Sequence, residues 1–175
     1  MAAKKSPGFG TYPLRCLALG LLMQGPGHGY QLDQKLDEDF GMIWKAGQTK
    51  LYVTLSSLEK KGFLRSEMEP QENRPDRKMY HLTEEGRETF LEWVREPVPS
   101  LRAVRVELLA KLRFFDLLGL DGLDDLIAAQ QEVFQEMMEE WSLEKRHEED
   151  RFMSRVYDFR IKQAEFILNW LQNFT

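Results

Sequence analysis

The stretch QTKLYVTLSSLEKKGFL, residues 48–64, carries the side chains whose types and spacing best suit a chemical task. Leu51, Leu55 and Leu58 recur at helical spacing. A helical wheel places Thr49, Val53, Ser56, Ser57 and Lys60 opposite them, with Lys50 and Lys61 on one flank and Tyr52 on the other. Short hydroxyls and a methyl-bearing side chain let a helix approach base edges in a DNA major groove, while lysines at its borders reach phosphates. The plain alternative is a solvated face with chance lysines. A second basic cluster, Arg74, Arg77 and Lys78 in NRPDRK, falls at the tip of an expected hairpin, diluted by Glu69, Glu72 and Asp76. Each patch is weak alone; together they mark the two elements that would touch DNA.

Other chemistries find less support. GPGHGY lacks the preceding strand and the Lys-Ser/Thr of a phosphate-binding loop, and reads as a turn opening a helix. Ser57 and Lys60 form an S-x-x-K without partner motifs. His28, His81 and His147 are dispersed, so no metal site is expected; His28 reads as a cap or a backbone contact. The carboxylates stand on helix surfaces beside Lys and Arg. No catalytic constellation and no cofactor motif emerges, so the expectation is a non-enzyme. The single Cys16 excludes an internal disulfide and fits a reducing cytosol.

These patches need elements to hold them. Proline opens a first helix from about Pro13 to Gln24, with Leu14, Leu17, Ala18, Leu21 and Leu22 on one stripe and Gly25-Pro26 as its stop. A second helix spans about Gly29 to Phe40. The third is the opening stretch, with Gly62 as its C-cap. FLRSEMEP and KMYHL alternate as short strands around the loop PQENRPDR. Thr83 caps a fourth helix reaching about Arg95. The result is a winged helix-turn-helix with a two-stranded wing. Two prolines in REPVPS, residues 95–100, interrupt the chain, so domains are expected at 1–96 and 97–175.

Charge follows this division. The whole chain carries −5; residues 1–99 hold 14 basic and 14 acidic side chains, residues 100–175 hold 10 and 15. The acidity belongs to the second half, which leaves DNA contact to local patches in the first. Lys4 and Lys5 before LRCLALGLLMQG imitate a secretion signal, but Arg15 abuts the apolar run and no small-residue cleavage site follows. That run is far too short to span a membrane, so a cytoplasmic location is expected.

LALGLLMQGPGHGYQLDQKL, LYVTLSSLEKKGFL and NRPDRKMYHLTEEGRETFLEWV, in that order, resemble the PadR family of bacterial transcriptional regulators over about residues 14–95. The chain departs from many members at Val53, where they have proline, and at Asn73, where they have glycine, so no operator sequence carries over. The resemblance implies a dimeric repressor on a pseudo-palindromic operator. It puts DNA contacts at Tyr30, Gln48, Thr49, Lys50, Tyr52 and Thr54, joined by Arg74, Arg77 and Lys78 from the wing; Ser57 and Lys60 come from the helical wheel. Some relatives respond to small aromatic compounds, which makes Phe90 and Trp93 ligand candidates.

The second half is expected to be helical. Leu101, Val104, Leu108, Leu112 and Phe115 line one helix, ended by Gly119. Leu123, Ile127, Gln130, Phe134, Met137 and Trp141 step 4-3-4-3-4 along the next, and a last helix repeats the rhythm at Phe152, Val156, Phe159, Gln163, Phe166 and Trp170. A break is expected within EKRHEEDR. Such seams serve a hairpin within one chain, a subunit interface, or both. A homodimer through Phe152, Val156, Phe159, Phe166 and Trp170 is the expectation. The sequence thus points to a DNA-binding transcriptional regulator, a dimeric repressor released by a small effector, against a rival reading as a winged-helix protein-interaction scaffold without a specific operator.

Overall fold

The computed structural model describes residues 13–70 and 76–174. Its elements run α1 (Leu14–Met23), β1 (Gly27–His28), α2 (Gly29–Phe40), α3 (Gln48–Lys60), β2 (Leu64–Glu69), β3 (Arg77–Leu82), α4 (Glu84–Arg95), α5 (Leu101–Ala103), α6 (Leu109–Leu118), α7 (Leu123–Arg146) and α8 (Arg151–Gln172). A π-helical turn, Val104–Leu108, joins α5 to α6. The chain groups into two compact units: the first runs to Val94 and takes in Leu109–Leu120, the second comprises Arg95–Leu108 and the chain from Asp121.

In the first unit, α1 is buried along most of its length, including Leu17, Leu19 and Leu21. Around it stand the apolar stripes of α2 (Leu32, Leu36, Phe40) and α3 (Leu51, Leu55, Leu58), all buried as their spacing requires. Burying one such leucine contributes about 1.5–3 kcal/mol, so these stripes outweigh the modest helix propensity of the Thr- and Ser-rich α3. Gly62 ends α3 with φ +84°, the left-handed value glycine adopts without strain. Thr83 caps α4 as expected: its hydroxyl oxygen accepts from Gly86 N at 3.1 Å, and the hydroxyl reaches the Gly62 and Phe63 carbonyls at 2.8 and 2.9 Å.

The wing strands β2 and β3 pair antiparallel, Leu64 opposite Leu82 through Glu69 opposite Arg77. A third strand joins them. β1 pairs with β3, Gly27 opposite Tyr80 and His28 opposite Met79, giving the order β1-β3-β2 rather than a two-stranded ribbon. Two residues carry no periodicity, which is why the sequence reading missed it.

The helix α6 lies in the first unit although the proline break precedes it. Phe114 is fully buried, 4.8 Å from the Phe40 ring and 5.0 Å from Phe90. Gly20 makes room for it: a Cβ there would stand 2.4 Å from the Phe114 ring and 2.5 Å from Phe90. The stripe Leu101, Val104, Leu108, Leu112 and Phe115 is buried, but along a helix interrupted by the π turn.

In the second unit, α7 and α8 form a hairpin, separated at His147–Asp150, inside the expected break. Asp150 caps α8 by accepting from the amides of Phe152 and Met153 at 2.6 and 3.3 Å. Gln130, the polar member of the α7 seam, is fully buried and bonds both backbone groups of Val98, accepting from its N–H at 2.6 Å and donating to its carbonyl at 3.0 Å. A buried amide satisfied on both sides costs little and fixes where the segment 95–100 lies on α7. The buried face of α8 is Ala164, Ile167 and Leu171; the expected seam residues Phe152, Phe159 and Phe166 point to solvent instead.

Candidate nucleic-acid interface

With its leucines inward, α3 presents Gln48, Thr49, Lys50, Tyr52, Val53, Ser56 and Lys60 to solvent, while Thr54 and Ser57 are half-buried. Val53 is 66% exposed. An apolar side chain so bare at the middle of a polar face is suited to contact a thymine methyl. The Thr54 hydroxyl donates to the Lys50 carbonyl at 2.8 Å, so its proton is already used and its methyl and lone pairs remain to read with.

Tyr52 is held by a close approach. A Cβ on Gly29 would stand 2.5 Å from the Tyr52 ring, so the phenol lies directly against the first turn of α2. Tyr30, in the same turn, stacks on His28 (centroids 5.9 Å apart, planes 10° apart). The Arg77 guanidinium lies 5.1 Å from the Tyr30 ring centre and donates to its hydroxyl at 3.4 Å. The start of α2, the helix α3 and the wing strand β3 therefore meet at Tyr30, Tyr52 and Arg77, three of the expected contacts. Arg74 lies outside the described residues.

His28 supports this junction from beneath. It is the N-cap of α2; its N–H donates to Gln31 Oε1 at 3.0 Å, Nδ1 lies 3.3 Å from the Lys78 carbonyl and Nε2 3.3 Å from Glu69. The capping expectation holds for this residue. On the same sheet face His81 meets Glu67 at 2.6 Å.

Lys78, an expected DNA contact, has a partner within the chain. Its ammonium pairs with Glu59 of α3 at 2.6 Å, and Glu59 also accepts from the Ser66 hydroxyl. The bond to Lys78, then that to Ser66, holds the Glu59 carboxyl below its ordinary 4.5, against the opposing effect of burial. The same bond raises Lys78 above 10.5. Burial raises the Tyr80 phenol above 10.0. Glu59 had passed as one more surface carboxylate, and Gly29 as a turn residue. Neither carries a signal in a single sequence, because each acts on a side chain distant along the chain.

The ligand candidates lie among the core aromatics. Phe90 is fully buried, 6.0 Å from Trp93 and edge-on to Phe114, so it is part of the core. Trp93 is half-buried with the Lys111 ammonium 4.9 Å from its ring centre. An open groove of about 330 Å³ lies elsewhere, between α2 and the approach to α3, lined by Asp33, Asp37, Glu38, Trp44, Lys45 and Gln48 among others. Among the described residues no cluster of three His, Cys, Asp or Glu side chains could hold a metal, and no helix is long and apolar enough to cross a membrane. Of the expected interface residues, Phe152, Phe159 and Phe166 are 70%, 67% and 71% exposed, and Val156 and Trp170 are half-buried, Trp170 against Phe174 at 5.0 Å.

Three helices, a strand-paired wing and a long helical second half define a winged helix-turn-helix protein. Residues 18–92 match the Transcriptional regulator PadR-like family. It is 29% identical over 117 residues to the negative transcriptional regulator PadR of Bacillus subtilis, and 32% identical over 77 residues to a probable transcriptional regulator of Mycobacterium tuberculosis. These matches cover 67% and 44% of this chain, and span 64% and 41% of the relatives' lengths. The fold is similar to the crystal structure of Bacillus subtilis PadR in complex with operator DNA, with TM-score 0.51 and 22% identity, covering 94% of this chain and 97% of that one.

Proposed function

We propose that this protein is a sequence-specific DNA-binding transcriptional regulator, a repressor acting as a homodimer in the cytoplasm. The carrying observation is the exposed face of α3, with Thr49, Val53 and Ser56 bordered by Lys50 and Lys60, beside Tyr30 and Arg77 of the adjoining elements. In this reading α3 enters the major groove, Gln48, Thr49, Lys50, Tyr52, Thr54 and Ser57 meet bases or nearby phosphates, and Arg74 and Arg77 reach the flanking backbone. Relatives named as transcriptional regulators, one of them solved on operator DNA, support it. Residues 1–96 supply the DNA-binding part, with Leu109–Leu120 grouped beside them, and the remainder of 97–175 the dimerisation part.

Dimerisation accounts for the bare phenylalanines of α8. Phe152, Phe159 and Phe166 stand seven residues apart, which keeps them on one strip of a helix, and a second copy of the same strip covers them by two-fold symmetry. A two-fold protein presents its two recognition helices to half-sites roughly 34 Å apart on a pseudo-palindromic operator. Release by a small aromatic effector completes the reading, with Trp93 the approachable member of the pair; Phe90 would have to yield its core position. An effector acts only if it binds the DNA-competent and incompetent geometries with different affinity.

The test is binding of the protein to its own upstream region and to a scrambled duplex across a salt series. Specific regulation predicts an affinity gap that persists as salt rises. Equal, steeply salt-dependent affinities for every duplex, including fragments selected from the whole genome, would replace this reading with the protein-interaction scaffold.

A further inference from the structure

Glu59 stands in the last turn of α3, where the helix dipole disfavours a negative side chain and where bound DNA would repel it. Its surroundings offset both costs. One carboxylate oxygen lies 2.6 Å from Lys78 Nζ on β3, and the other accepts from the Ser66 hydroxyl on β2. Ser66 pairs across the sheet with Tyr80, whose ring lies 5.3 Å from the same ammonium. A single side chain of the recognition helix therefore holds both strands of the hairpin that ends in the wing.

We propose that Glu59 and Lys78 are positioning residues: their ion pair, seated on Ser66, sets the angle between recognition helix and wing, and Lys78 is not a phosphate contact. The proposal rests on the DNA-binding reading above. Were Lys78 to leave for a phosphate, Glu59 would remain as an uncompensated anion beside the DNA. The charged forms also persist through the neutral range, Glu59 lying below 4.5 and Lys78 above 10.5. Arg77, one residue earlier, points from the opposite sheet face and rests on Tyr30, so the strand separates a guanidinium held at Tyr30 from an ammonium held at Glu59.

The experiment compares Glu59→Ala, Lys78→Met and the double variant in the full chain. Affinity for a duplex selected from the genome is measured across a salt series, and amide exchange of β2 and β3 is measured without DNA. A clamp predicts that each single variant weakens specific binding by about fivefold with parallel salt slopes, and that the double variant is no worse than either single. Both singles should speed exchange at β2 and β3. The sign for Glu59→Ala is telling, because removing an anion near DNA by itself strengthens binding. Tighter binding of Glu59→Ala, or a salt slope flattened by about 0.9 in Lys78→Met, would make Lys78 a phosphate contact that Glu59 restrains, and overturn the proposal. If the wild-type chain binds no duplex specifically, the regulatory reading fails separately. Exchange then decides the clamp, and unchanged protection in both singles refutes it.

Discussion

Replacing Phe159 by alanine should dissolve the proposed homodimer without disturbing the subunit. Phe159 is 67% exposed in the single chain, so its ring contributes little to the packing of α8 on α7. An aromatic side chain of about 200 Å² at that exposure leaves roughly 130 Å² bare, and covering it at about 25 cal/mol per Å² is worth roughly 3 kcal/mol. Alanine forfeits about two-thirds of that, and an isologous interface counts the loss twice, for a total of about 4 kcal/mol. The dimer dissociation constant should then rise by about a thousandfold. Sedimentation velocity over a wide concentration range gives the constant, and far-UV circular dichroism checks that the helices remain. An unchanged constant would show that the Phe152–Phe159–Phe166 strip is not the interface. A collapse of helicity would show that the ring is part of the subunit's own packing, and the area argument would fail.

Lys50→Ala with Thr54→Ala should relax or abolish site preference while the dimer persists, whereas Arg77→Ala should weaken all duplexes alike and flatten the salt slope by about one unit; competition assays against mismatched duplexes separate the two. Two glycine substitutions should part company. Gly29→Ala pushes first against the Tyr52 ring, and is expected to lower DNA affinity with a small change in melting temperature. Gly86→Ala sets a Cβ 2.2 Å from the Phe63 carbonyl oxygen, and should cost stability by about 1–3 kcal/mol in urea unfolding. The Glu59–Lys78 pair also implies a pH window. The lowered Glu59 contributes stability above its ordinary 4.5 and loses it as pH falls through the folded value; the raised Lys78 contributes below 10.5 and loses it as pH rises through its own. The melting-temperature gap between wild type and Glu59→Ala should therefore stay level from about pH 5 to 10 and close in stronger acid.

Periodic burial was legible before any coordinates. The leucines of α1, α2 and α3 and the strand alternation around the wing follow from one requirement, that each element bury one face, and that requirement leaves a mark at a fixed spacing. Thr83 and Gly62 were equally readable because caps are local: a hydroxyl meets an amide three residues on, and a left-handed residue ends a helix. The exposed strip of α3 is the complement of its buried leucines, so the candidate reading face came with the helix.

What the tertiary structure decided lies wherever two distant segments meet. Nothing around Gly27 and His28 announces a strand, because β1 exists only through its pairing with β3. Phe114 and α6 belong with the first unit because Gly20 leaves a space for that ring, a match between residues far apart in the chain. Phe159 and Ile167 look alike on a helical wheel that must bury something; only the packing of α8 on α7 covers one and leaves the other bare. Lys78 is the sharpest case. Its charge and its place on the wing suggest a phosphate, and only the structure shows that Glu59 stands 2.6 Å from its ammonium.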